Sequence, residues 1–118
     1  MHWKMTNRKM NKYKNIKNSN FHSKKEERRF KELQLLQKAG EIYGLKSQYK
    51  FELIPKQVDE NGKCLERACN YIADFVYYSK DNQLIVEDVK SIATKTKDYI
   101  IKRKLMLLKH KIKIQEII

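Results

Sequence analysis

Two consecutive apolar runs constrain the fold of this chain more than any other feature. Residues 65–78 are rich in aromatic and β-branched side chains, and residues 84–89 follow across the turn Lys80-Asp81-Asn82. Runs of this kind joined by a short turn predict an antiparallel hairpin. Alternation along the first run predicts Tyr71, Ala73, Phe75 and Tyr77 on one face, with Ile72, Asp74, Val76 and Tyr78 on the other. Upstream, Tyr49, Phe51 and Leu53 alternate with Gln48, Lys50 and Glu52, which predicts a strand over 45–54 that Pro55 ends. Asp59-Glu60-Asn61-Gly62-Lys63 reads as the turn between these strands.

Helical signals bracket the strands. Ser23-Lys24-Lys25-Glu26 fits a capping box, with Phe30, Leu33, Leu36 and Gln37 at helical spacing, Leu35 widening the stripe, and Ala39-Gly40 as the stop. Residues 96–110 read as a second helix with Ile101, Leu105 and Leu108 on one face, and 111–117 as a final strand. The predicted order is helix, three strands, helix, strand. The fold class is α/β, leaning to α+β: a small mixed sheet flanked by helices, with the acids at one sheet edge. At 118 residues there is length for one domain only. It is expected over 21–118, with residues 1–20 as a flexible basic arm that lacks periodicity.

Charge limits the partners. The chain carries 27 Lys+Arg against 14 Asp+Glu, a net +13. The arm holds six basic residues and no acid, and residues 91–118 hold most of the remaining surplus, around a nearly neutral body. Such a chain is expected to meet a polyanion, either nucleic acid or an anionic membrane surface. No apolar run approaches the roughly 18–20 residues of a membrane-spanning helix. Cys64 and Cys69 are too few for a disulfide framework and lack a second ligand pair for zinc, so they read as reduced thiols of an intracellular chain.

Three residues carry chemistry. Asp74 interrupts an apolar strand, and Asp88 and Lys90, two apart near the end of the next one, share a face. If the hairpin brings them together, two carboxylates can hold Mg²⁺, which keeps its waters and a substrate phosphate. A lysine beside them would orient or deprotonate the attacking water. Metal-assisted phosphodiester hydrolysis uses these parts, and the basic residues Lys95, Lys97, Lys102, Arg103 and Lys104 would hold the nucleic-acid backbone.

Asp74…Asp88-Val89-Lys90 resembles the D…(D/E)-x-K signature of the PD-(D/E)XK nuclease superfamily. With Ser23–Glu26, residues 35–42, Tyr71-Ile72-Ala73-Asp74-Phe75 and Val86–Lys90, the chain is similar to a small phage-encoded family usually placed there. Ala73 stands where many members have proline. The resemblance implies a restriction-endonuclease-like core and a Mg²⁺-dependent endodeoxyribonuclease, with Mn²⁺ substituting. It implies Asp74 and Asp88 as metal ligands, Lys90 as the residue positioning water, and Glu26 on the first helix as a further ligand. Its setting would be the cytoplasm of a phage-infected or prophage-carrying bacterium, in recombination or genome processing. Branched or junction DNA is one expected substrate, with a homodimer required for symmetric cuts.

Other readings stand beside these. Glu26 is equally explained as a helix cap, and Asp88 with Lys90 as an exposed ion pair worth under about 1 kcal/mol. Glu87, facing away from Asp88, reads as a structural ion-pair partner. Lys95, Lys97, Lys102, Arg103 and Lys104 also fit a solvated helix face. The whole chain fits a non-catalytic basic nucleic-acid-binding module, or a protein that uses its basic helix at a membrane surface without crossing it.

Overall fold

A computed structural model describes residues 23–91 and 94–118. The basic arm expected over 1–20 lies outside the described residues. Helix α1 (Lys24–Lys38) starts where Ser23 Oγ accepts the Glu26 N–H at 3.1 Å. It ends at Gly40, whose φ of +83° lets Glu41 N–H return to the Leu36 carbonyl at 2.9 Å. The apolar stripe is narrower than its spacing predicts, because Leu33 is buried whereas Leu35 is exposed.

Strand β1 (Ile42–Ile54) runs antiparallel to β4 (Cys69–Ser79), which pairs antiparallel with β5 (Leu84–Val89). Helix α2 (Lys97–Leu105), capped by Thr96, crosses to β6 (Gln115–Ile117), which lies parallel to β5. The sheet order is β1-β4-β5-β6, and a separate ribbon pairs β2 (Gln57–Val58) with β3 (Cys64–Glu66). The protein is thus a mixed α+β domain with a small mixed sheet and two helices.

Several boundaries differ from the sequence pattern. β1 starts three residues before position 45 because Gly44, at φ +69°, makes a bulge within the strand instead of a break before it. The segment after the 59–63 turn becomes the ribbon, pinned by Asp59 Oδ1, which accepts N–H bonds from Asn61 and Lys63 at 2.8 and 2.9 Å. The second helix widens into a π-helical turn (Met106–His110), and Lys111 at φ +60° redirects the chain. Consequently only Gln115–Ile117 form the final strand, although Ile112 and Ile114 still pack inward.

Two cores cover the two sheet faces. Tyr71, Ala73, Val76 and Val86 meet Tyr99 and Met106 of the α2 side, whereas Phe75 and Tyr77 meet Leu33 of α1. Neighbouring residues of a strand point oppositely, so Ala73 and Phe75, two apart, should share a face. They do not. The alternation slips at Asp74, opposite Gln48, which has φ +52° and lies between the pairs Ser47↔Phe75 and Tyr49↔Ala73. The predicted common face of Tyr71, Ala73, Phe75 and Tyr77 is therefore split, and Ile72 is exposed where a shared buried face with Val76 is expected. The left-handed backbone of Gln48 on β1, between these pairs, accompanies the break in the period of two.

Candidate active site

The slip prepares a gap between the two central strands. The β4–β5 ladder runs from Tyr78↔Leu84 to Phe75↔Glu87 and stops. At the next position the carboxylates of Asp74 and Asp88 replace backbone pairing. Asp88 Oδ1 accepts the Asp74 N–H at 3.0 Å, and Asp74 Oδ2 accepts the Val89 N–H at 2.9 Å. Beyond this point β5 turns to β6, with Asp88 opposite Glu116 and the Lys90 N–H bonded to the Ile117 carbonyl at 2.9 Å. The acids therefore lie where the central strands part, not at a sheet edge.

Lys90 joins them as alternation predicts. Its Nζ is 3.3 Å from Asp88 Oδ2 and 4.2 Å from the Tyr99 ring centroid, a cation–π seat that holds the ammonium against the carboxylate. Glu26, on the first turn of α1, is buried and accepts a hydrogen bond from Gln48 Nε2 at 3.0 Å. Ser23 caps the helix through the Glu26 backbone N–H, so the cap leaves the Glu26 carboxylate directed into the protein.

The electrostatics are unbalanced. Burial first, then the negative charge of Asp88, pushes Asp74 up to about 7; Glu26 adds to the rise, while the Val89 N–H and Lys90 oppose it. Tyr71 is 4% exposed, and its hydroxyl finds no hydrogen-bond partner among the described residues. Burial and the neighbouring Asp88 charge push that phenol well above its usual range. A protonated hydroxyl and crowded acids are what a cation or its bound water would relieve. Two carboxylates match the few protein ligands of Mg²⁺, although among the described residues no group of three or more His, Cys, Asp or Glu is placed to hold a metal ion. Asp74 and Asp88 are the residues that could hold a hard divalent cation here, with Glu26 in electrostatic range of Asp74.

Surrounding charges are sorted by Glu116, which sequence reasoning missed. Its carboxylate accepts from Tyr99 Oη at 2.7 Å, Lys95 Nζ at 3.0 Å and Arg103 Nη1 at 2.9 Å. These bonds, the one from Tyr99 foremost, hold Glu116 down at about 2. Of the predicted phosphate-binding set, Lys95 and Arg103 are thus ion-paired, while Lys97 and Lys104 are exposed and Lys102 is half-buried. Arg103 and Lys104 also line a groove of about 770 Å³ with Lys113 and Glu116, between α2 and β6; Asp74, Asp88 and Lys90 do not line it. Glu87 pairs with Arg29, as its outward direction from Asp88 implies. Cys64 and Cys69 are both free thiols. No signal in the sequence marks Tyr71 or Glu116, because their roles depend on β5–β6 register and on what α2 covers.

Fold and site together define a class: a mixed α+β protein with a buried carboxylate pair and a lysine where two strands separate. Among the described residues, no helix is long and apolar enough to cross a membrane. The chain belongs to the family described as protein of unknown function DUF1064, whose model matches residues 6–118. No curated protein and no solved structure matches it.

Proposed function

We propose that this protein is a Mg²⁺-dependent endonuclease that hydrolyses phosphodiester bonds in DNA, with Mn²⁺ substituting. The observation that carries the reading is the Asp74–Asp88 pair with Lys90 at the parting of β4 and β5. The order α1, antiparallel β1-β4-β5, α2 and parallel β6 supports a restriction-endonuclease-like core, as the resemblance to PD-(D/E)XK nucleases implies. A chain with net charge +13 suits a polyanionic substrate.

The residues would divide the work simply. Asp74 and Asp88 would hold the cation, which polarises the phosphate and acidifies a bound water. Lys90, fixed between Asp88 and the Tyr99 ring, would orient that water and offset charge developing on the phosphate oxygens. Glu26, steadied by Gln48, would adjust the charge of the pair from the α1 side. Branched DNA in phage recombination or genome processing would be the substrate setting, and a homodimer would make paired cuts.

A second reading has its own observation: both carboxylates already cap backbone N–H groups across the strand gap. In that case the acids are structural and the protein is a basic nucleic-acid-binding module. Cleavage of linear, nicked, single-stranded and four-way-junction DNA in Mg²⁺ and Mn²⁺ separates the two. Wild-type protein is expected to cut at least one form, with Asp74→Asn and Lys90→Ala at least about a hundredfold slower. Salt-sensitive, metal-independent binding without cleavage of any form would overturn the nuclease reading.

A further inference from the structure

One end of the sheet carries aromatic side chains that are exposed among the described residues. Val76 packs into the α2-side core, and Tyr78, two residues on, shares its face but is 39% exposed. Tyr43 and Tyr49 beside it are 47% and 37% exposed. Together with Lys46, Phe51 and Leu84 they line a shallow pocket of about 200 Å³.

This floor is held in place by the protein itself. The Tyr43 and Tyr78 rings stack at 5.3 Å between centroids, 17° from parallel. The Tyr43 hydroxyl donates to Asn82 Oδ1, in the turn between β4 and β5. Gly44 makes the close approach possible, since a Cβ at that position would stand 3.2 Å from the Tyr78 ring and its φ is +69°. Tyr49 meets Phe51 edge-on at 5.1 Å, and Lys46 Nζ sits 5.5 Å from the Tyr49 centroid. The result combines flat π faces, fixed before any ligand arrives, with an ammonium among them.

That pairing of features matches one chemistry. An unstacked base offers a flat π face to a tyrosine ring, and its phosphate offers an anion to a lysine. A base inside a duplex cannot present that face, because its neighbours already cover it. Tyr78 stands four residues along β4 from Asp74, roughly 13 Å at the rise of an extended strand. One strand can therefore reach both places.

We propose that the Tyr43–Tyr49–Tyr78 floor binds unpaired bases of a nucleic-acid strand, with Lys46 taking an adjoining phosphate. The identity of that strand as DNA rests on the nuclease reading; the base-stacking chemistry does not. The site would give the protein a preference for single-stranded or branched substrates over continuous duplex.

Fluorescence anisotropy of the full chain in EDTA tests this with short oligo(dT) and a blunt duplex as probes. Tyr49→Ala is expected to weaken oligo(dT) binding about tenfold and to leave duplex binding within about twofold. Lys46→Gln, at an exposed position that leaves folding intact, is expected to lower the salt dependence of oligo(dT) binding by about one ion contact. The proposal is overturned if wild-type protein does not bind oligo(dT), or if Tyr49→Ala and Lys46→Gln bind it as wild type does. Equal loss of both probes in melting-verified variants also overturns it. So does a Tyr49→Ala effect confined to mass by light scattering, which would mean a second copy occupies the floor. Cleavage is scored separately: oligo(dT) binding that depends on Tyr49 without any cleavage removes the nuclease reading alone.

Discussion

Glu87 and Asp88 are neighbours on one strand, both almost wholly buried, and face opposite sides of the sheet. Their surroundings could hardly differ more. Glu87 receives Arg29 in a two-pronged pair at 2.8 and 2.6 Å, and the Tyr77 hydroxyl completes its shell. The charge is matched and every strong donor nearby is used. Asp88 shares a single lysine with Asp74 close by, beside a tyrosine hydroxyl that finds no partner among the described residues. Burial is common to both acids; what separates them is how fully the buried charge is matched by partners, which is the basis for proposing a role for Asp88 and not for Glu87.

The largest effect that separates the two sides concerns stability. Glu87→Gln leaves partly buried Arg29 with only the exposed Glu32 as counter-charge, so a loss of about 2 kcal/mol is expected, a fall in Tm of roughly 5–10 °C. Asp74→Asn keeps an oxygen for the Val89 N–H and removes a crowded charge, so its Tm should be unchanged or higher while cleavage falls. Parallel calorimetry of the two variants checks the contrast; equal losses would erase it.

Next comes pH. Asp74 titrates higher in the folded protein than in the unfolded chain, so the native state holds that proton more tightly. Its contribution is fully present below pH ~4 and is lost as pH rises through about 7 in metal-free protein. Glu116 has the opposite sign: its pKa is depressed to about 2, so its contribution is present above the usual carboxylate range and lost on acidification. Melting of metal-free protein from pH 4 to 8 should show a downward component that Asp74→Asn removes and that Mg²⁺ offsets.

The smallest pair uses the tyrosines. Tyr77→Phe deletes a hydroxyl that donates to Glu87 and should cost about 1–2 kcal/mol. Tyr71→Phe deletes a buried hydroxyl that lies beside Asp88 and makes no well-formed hydrogen bond among the described residues, so it should change stability by less than about 1 kcal/mol in denaturant titration. An equal loss in both would mean that Tyr71 is as well satisfied as Tyr77.

How much of this was legible beforehand varies by residue. Asp88 and Lys90 on one face, and Glu87 on the other, follow from strand alternation alone. The cap of α1 and the stop at Gly40 follow from residue chemistry over a single helical turn. Asp74 stood out as an acid in an apolar strand, but not its position at a phase slip. That slip needs Gln48 in the left-handed region on a different strand. The aromatic residues divide the same way. Tyr71, Phe75 and Tyr77 are core, as their runs imply, whereas Tyr43, Tyr49 and Tyr78 are exposed among the described residues.

The sequence by itself determined the two helices and the main-sheet strands in their order, the basic surplus and the spacing that sets Asp88 beside Lys90, but not the β2–β3 ribbon or the π-helical turn. These depend on interactions within a turn or along one strand, where the period is 2 or 3.6 residues. Only the tertiary structure decided that Asp74 meets Asp88 through exchanged N–H caps, that Glu26 is buried toward the site, and that Glu116 collects Lys95, Arg103 and Tyr99. Those contacts depend on register, twist and helix placement between distant segments, and no local pattern encodes them.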